Sequence, residues 1–378
     1  MKQNRKIYPM LFAVSFMVWL LLPFILGNII GNPKPKITSE DIRNTASRPV
    51  INVNRLDPFP EKFSAFYYDH FPFREKLLAW WSAKVGVPAF KKAPLKSLVD
   101  IGENGWLYPA EERPVFEGTK MLSDENLELI HQTIRNRVIF YRAQGVRFYV
   151  FIVPMKSVVY PEFLPSYYYH YKDTTQTQKL IALLKQDTLI PFIDVNPALV
   201  NAKPKGNLYT HTDKSWNSNG AYEAYSQIIS RIRKDFPAIK PLEAKDVSFE
   251  QYTTPGGMLA FQLGIQKEVR ETRYRPVIKN ANAQQGKKAG YAPPPWFELP
   301  AEFEKVSVLP DGSLPEALVI RDPQIEPMMP FLNQNFRKTV YIFDAWMYDL
   351  NWEIIQKEKP DIVILEVSEA NIKNIIHL

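Results

Sequence analysis

Leu127, Ile130, Ile134, Val138 and Tyr141 recur at three- and four-residue intervals, the spacing of one helical face. Ser123 precedes them as a helix cap and Gly145 follows as a stop. Directly behind comes an unbroken apolar run from Phe148 to Val153, the signature of a strand buried on both faces. The rhythm repeats along the chain. A helix is predicted over 175–186 ahead of the strand Ile190-Pro191-Phe192-Ile193-Asp194, and another over 219–236 with Ser218 as its cap. Short apolar strands at 318–320, 340–343 and 362–365 then alternate with predicted helices near 327–336 and 351–358. Strands of this kind separated by amphipathic helices predict a mainly parallel sheet covered on both faces, a three-layer α/β/α sandwich.

Two stretches break the rhythm. Residues 1–31 hold Lys2, Arg5 and Lys6 and then an uncharged run dense in Leu, Phe, Val, Ile and Trp. As a helix, 7–30 would span about 36 Å, more than the ~30 Å hydrocarbon core of a bilayer. Its basic flank predicts a single-pass signal anchor with the tip 1–6 in the cytoplasm and the rest of the chain outside it. A cleaved signal peptide is the competing reading, but its apolar core would be shorter and end at small residues. Residues 32–60, with five prolines, predict a stalk, and the globular domain is expected over 61–378. Within it, about 245–316 reads as an irregular insertion. That insertion carries Lys267, Arg270, Arg273, Arg275, Lys279, Lys287 and Lys288 before Pro293-Pro294-Pro295-Trp296. It suits either a loop that holds an anionic glycan by charge and ring stacking or a solvated loop around a packed tryptophan.

The net charge of +7 suggests a nucleic-acid ligand until its distribution is followed. Five of the 47 basic residues lie in 1–37, which has no acidic residue, so the remainder carries 42 basic against 40 acidic side chains. The exported part is nearly neutral and no nucleic-acid partner is expected. With no cysteine, thiol nucleophiles, disulfides and thiolate metal sites are excluded. No two of the five histidines stand four apart, and no glycine-rich phosphate loop occurs, so neither metal nor other cofactor is expected.

The most specific motif is Tyr209-Thr210-His211-Thr212-Asp213-Lys214-Ser215-Trp216-Asn217. It resembles the Asp-x-His-Trp signature of the SGNH-hydrolase-like proteins of alginate and cell-surface polysaccharide O-acetylation, the AlgX/AlgJ or DHHW family. Weaker markers follow in family order: Asp69-His70-Phe71-Pro72-Phe73-Arg74, Gly102-Glu103-Asn104-Gly105-Trp106-Leu107-Tyr108, Pro154-Met155-Lys156, Tyr160-Pro161-Glu162, and Lys359-Pro360-Asp361 running to Glu366. Gly256-Gly257-Met258-Leu259 loosely resembles the family's Gly-Asp-Leu, with Gly257 where aspartate is expected.

The resemblance implies an SGNH fold and a Ser-His-Asp triad in which aspartate holds the imidazole and the imidazole deprotonates the serine. Asp213 and Trp216 match. Ser215 stands at the histidine position and Pro323, in Arg321-Asp322-Pro323-Gln324 after a strand, stands at the serine position. A proline ring neither attacks a carbonyl nor donates an N–H. The chain is therefore expected to be a degenerate member, with Trp216, Arg321 and Asp322 left to line a groove for ligand. The family further implies a membrane-bound O-acyltransferase partner, a secreted polysaccharide, and residence on a bacterial inner membrane with the domain in the periplasm. Two other readings stay open. One is an active polysaccharide acetyltransferase or esterase with a rearranged triad using His211 and Asp213, in which His211 replaces the missing base or serves Ser215 as nucleophile with Asp213 as orienter, since alternate residues of an extended segment share a face. The other is a scaffold subunit of a different envelope complex.

Overall fold

A computed structural model of the chain describes residues 98–119, 122–168, 174–349 and 352–376, with isolated positions Phe12, 15–18, Leu22 and Phe63. The expected anchor at 7–30 and stalk at 32–60 lie outside the continuously described residues. Among the described residues, no helix is long and apolar enough to cross a membrane.

The five predicted strands join two that were not predicted in one seven-stranded sheet. Its members are β3 (Arg147–Val153), β4 (Phe192–Ile193), β7 (Gln284–Gln285), β8 (Glu304–Val308), β9 (Glu316–Arg321), β10 (Lys338–Phe343) and β11 (Ile362–Ser368). Their spatial order is β4-β3-β11-β9-β10-β8-β7, numbered along the whole chain. The first five run parallel, and β8 and β7 close one edge antiparallel. All seven residues of β11 are buried, as befits a central strand covered on both sides. A separate pair, β1 (Val99–Ile101) and β2 (Leu107–Pro109), runs antiparallel.

Helix α1 (Asp124–Ala143) buries Leu127, Ile130, Ile134, Val138 and Tyr141 on one face of the sheet. The Ser123 side chain caps it by accepting from the Asn126 N–H. Gly145 ends it at φ 78°, a left-handed conformation that glycine adopts without penalty. Helix α2 (Gln176–Gln186) starts on a capping box between Thr175 and Gln178 and shares that face through Leu180 and Leu184. Helix α3 (Asn196–Ala202) and helix α4 (Ser218–Ile232) cover the opposite face with Leu199, Ala221, Ala224, Tyr225, Ile228 and Ile229. Helix α6 (Trp352–Glu358) completes the first face with Ile354 and Ile355.

Several local expectations change. Asn217, not Ser218, caps α4, because its carboxamide reaches the N–H groups of both Asn219 and Gly220; the helix ends at Ile232. The helix expected near 327–336 is a 3-10 run, Pro323–Met328, continued by one α turn, Met329–Leu332, because Pro327 and Pro330 withhold N–H donors. The stretch 245–316 is not irregular. It holds a nine-residue antiparallel ribbon of β5 (Val247–Pro255) and β6 (Arg270–Ile278), the short helix α5 (Met258–Gln262) between them, and the β7–β8 edge. Ribbon residues are mostly exposed, so no continuous apolar run announced them.

Ile364 lies fully buried in the middle of β11. Ile364→Ala is expected to lower the unfolding free energy by about 2–5 kcal/mol in urea denaturation. Leu129→Ala, on the half-exposed outer face of α1, is expected to change it by less than about 0.5 kcal/mol.

Candidate active site

The 209–216 motif lies between β6 and the carboxyl ends of the parallel strands. Its chain is not extended. Tyr209 bridges Trp216, and the Asn217 N–H donates to the Leu208 carbonyl at 2.8 Å, so residues 210–215 form a closed turn. His211, Asp213 and Ser215 therefore do not share one face, and the relay built on alternate positions loses its geometric basis.

Two charged side chains hold this turn from opposite sides. The Lys156 ammonium, fully buried, donates to the carbonyls of Leu107 at 2.8 Å, His211 at 2.7 Å and Asp213 at 3.1 Å. It also sits 4.7 Å from the centre of the Trp106 ring and 5.2 Å from that of Tyr108. Burial pulls the Lys156 pKa down to about 7, opposed by Glu112, Asp213 and Glu271. From the other side, the Glu271 carboxylate accepts from the N–H of His211 at 3.1 Å, the N–H of Thr212 at 2.7 Å and the Thr212 hydroxyl. One cation takes the turn's carbonyls and one anion takes its N–H groups, so buried backbone polar groups are satisfied without regular structure.

Asp213 is 1% exposed. One carboxylate oxygen accepts from the Lys214 N–H at 2.9 Å; the other pairs with the Arg273 guanidinium of β6 at 3.0 Å. A methyl group at Gly257 would stand 2.6 Å from that second oxygen, so the side-chain-free residue is what lets the 256–258 segment close over Asp213. The Gly257 N–H is engaged by the Thr212 hydroxyl at 2.7 Å. Ser215 is buried, and its hydroxyl has no hydrogen-bond partner.

His211 does not face Asp213. Its Nε2 meets the Asn207 amide at 3.1 Å, and its ring packs edge-on against Trp106, 4.6 Å between centres. Burial holds the imidazole below its usual pKa, with Lys156 adding to the effect against Glu271.

The Pro323 turn follows β9. The Trp216 indole N–H donates to the Gln324 carbonyl at 2.6 Å, which brings this turn against the Asp213 loop. Asp322 is fully buried and caps the 3-10 run: one oxygen accepts from the Gln324 N–H at 2.8 Å, the other from the Tyr348 hydroxyl at 2.6 Å and from Ser368. The Asp322 N–H donates to Glu366 at 2.7 Å. Arg321, also fully buried, pairs with Glu326 at 3.1 Å, donates to the Glu302 carbonyl at 2.6 Å and lies over the Phe343 ring. Trp216, Arg321 and Asp322 are all buried, and the Trp216 indole N–H, both terminal nitrogens of Arg321 and the Asp322 carboxylate are taken up by internal bonds, which corrects the expectation that they line an open groove. The roles of Lys156, Glu271 and Arg273 escaped sequence reasoning; Lys156 stood in a recognised marker and Arg273 in the basic run, whereas Glu271 carried no signal. Among the described residues no group of acids and histidines is placed to hold a metal ion.

Burial, with the Asp322 charge beside it, pushes the Glu366 carboxyl well above its usual pKa. The folded chain then binds a proton that the unfolded chain has released, so this group lowers stability as pH rises past the ordinary glutamate pKa. Glu366→Gln keeps the acceptor for the Asp322 N–H and removes that slope. Its unfolding free energy relative to the native sequence is expected to improve between pH 4.5 and 7.5, measured by denaturant titration at each pH.

The family model for "SGNH hydrolase-like domain, acetyltransferase AlgX" matches residues 99–290. In backbone the chain is similar to PatB1 of Bacillus cereus, at 18% identity and a TM-score of 0.53 over 72% of this chain and 97% of that one. The same protein with a sulfonyl adduct gives 18% identity and 0.51 over 71% and 96%. The O-acetyltransferase domain of Pseudomonas putida AlgJ gives 17% identity and 0.49 over 73% and 92%. No curated protein matches the chain in sequence. At these identities the PatB1 likeness bears on the fold alone, while the sequence model spans half of the chain. The chain belongs to the AlgX family of SGNH hydrolase-like proteins, a family related to polysaccharide O-acetylation.

Proposed function

We propose that this chain is a catalytically silent member of its family, anchored by residues 7–30 on the outer side of a bacterial inner membrane. There it serves a membrane-bound O-acyltransferase and a secreted polysaccharide as an accessory or guiding subunit. The observation that carries this reading is the Asp213–Arg273 pair. In the family's triad, aspartate orients an imidazole; here the carboxylate holds a guanidinium, which stays protonated at any working pH and accepts no proton.

The rest of the neighbourhood supports it. Pro323 offers no hydroxyl, and nearby N–H groups suited to stabilise an oxyanion are engaged, that of Gln324 by Asp322 and that of Gly257 by Thr212. Loss of either the serine or the histidine of such a triad costs roughly 10⁶ in turnover, about 8 kcal/mol of barrier. Nothing in the turn compensates: the Ser215 hydroxyl has no hydrogen-bond partner, and the His211 imidazole is bonded to Asn207.

The purified full-length chain is expected to take no label from a fluorophosphonate probe and to release no acetate from a chromogenic acetyl ester above background. Turnover that disappears in His211→Ala would overturn the proposal in favour of an active enzyme. Asp213→Ala separates the readings further, because in a structural role it removes a buried pair. Its expected cost is about 2–4 kcal/mol of stability, read by thermal and denaturant unfolding. Affinity capture of the anchored chain from solubilised membranes is expected to co-purify the acyltransferase; recovery of a different envelope assembly instead would favour the scaffold reading.

A buried ammonium with three carbonyl acceptors is hard to replace. Lys156→Met, similar in length but without donors, strands the carbonyls of Leu107, His211 and Asp213, and is expected to cost about 3–5 kcal/mol in unfolding experiments.

A further inference from the structure

The ribbon of β5 and β6 has two outer edges, and its register says which main-chain groups lie on them. Lys279 donates to the Asp246 carbonyl at 2.8 Å, so residues 246 and 279 form a hydrogen-bonded pair. Every second residue from there along β5 turns its N–H and C=O to β6, and Val247, Phe249, Gln251 and Thr253 turn theirs outward. The β6 edge is spent: the Tyr274 carbonyl accepts from the Ser218 hydroxyl of α4 at 2.8 Å, and Pro276 has no N–H to give. On the β5 edge, no bond to the outward groups is made among the described residues.

Strand edges are ordinarily blunted by shortness, lysine, proline or a bulge. β5 runs nine residues in unbroken register, carries no lysine, and reaches its proline only at 255. Glu250, Gln251, Tyr252 and Thr253 are all exposed. The strand is also held in place, because the Phe249 ring packs against Tyr222 and Phe331 of the domain core.

Side chains on this edge select the occupant. The Arg275 guanidinium lies over the Tyr252 ring, 5.4 Å from its centre, and Glu250 has no ion pair among the described residues. An extended peptide of one charge sign would meet repulsion from one of these charges. A second copy supplies each with its opposite. In an antiparallel pairing about a two-fold axis at Gln251, Phe249 lies opposite Thr253 of the second copy, and Glu250 lies opposite its Tyr252, beside the guanidinium that covers that ring. Sliding by one pair sets Glu250 against Glu250, and sliding the other way sets the two Tyr252–Arg275 pairs against each other, so charge favours the centred register.

We infer that β5 is a self-association edge, through which two copies of this chain join their ribbons into one continuous antiparallel sheet centred on Gln251. The contact uses neither Asp213 nor Pro323, so it holds whether or not the site proves catalytically silent.

Sedimentation velocity of the full-length chain in detergent is expected to show a monomer–dimer equilibrium with a dissociation constant on the order of 1–100 µM, the range of a small transient interface. Gln251→Pro removes one outward N–H and no bond to β6, so it should weaken the dimer about tenfold or more with little change in melting temperature. Glu250→Arg should weaken it severalfold, and adding Arg275→Glu should restore it. Because the native chain has no cysteine, single introduced cysteines report the register directly. Gln251→Cys meets its own copy at a Cα separation of about 5.5 Å and should cross-link under mild oxidation. Ser248→Cys lies about 20 Å from its counterpart and should not. The inference is overturned if the chain stays monomeric at all concentrations, if Gln251→Pro dimerises as the native sequence does, or if Ser248→Cys cross-links as readily as Gln251→Cys. Cross-linking of Gln251→Cys in membranes to a different protein, and not to itself, would also overturn it.

Discussion

A single buried ammonium organises the centre of this protein. Lys156 follows the end of β3 and is fully buried, where three main-chain carbonyls from β2 and the 209–216 turn surround it. Its charge costs desolvation energy that the carbonyls and the ring faces of Trp106 and Tyr108 offset. Because its partners are backbone atoms, it fixes where the turn runs rather than which side chains the turn displays. The same backbone path can therefore persist while the residues on it change from reactive to inert.

Glu271 is the counterpart on the other side, and it belongs to the ribbon rather than the sandwich. The ribbon thus contributes twice, through Glu271 to the backbone of the turn and through Arg273 to the Asp213 carboxylate. A carboxylate buried to this extent needs a partner. Where the family's pattern has an imidazole two residues further along the same loop, this chain supplies the partner from a strand sixty residues away in sequence.

The layered architecture was legible because its signals are local. The spacing of Leu127 to Tyr141 and the apolar runs at 148–153 and 362–365 each state their own burial, and all three segments lie where that burial predicts. The ribbon was not legible. β5 and β6 face water along most of their length, and their alternation of Arg, Thr, Tyr and Glu carries no apolar period. The chemistry divides the same way. That Ser215 and Pro323 lack the expected groups could be read off the chain, but what Asp213 does instead depends on a long-range pair. Extended geometry was assumed for His211, Asp213 and Ser215, and the tight closure between Tyr209 and Trp216 removed it.

Glu271 and Arg273 lie two residues apart on β6, and both grip the same short turn. The turn and the ribbon are consequently coupled mechanically. The 210–215 turn cannot open while Glu271 and Arg273 of the hairpin stay docked on it.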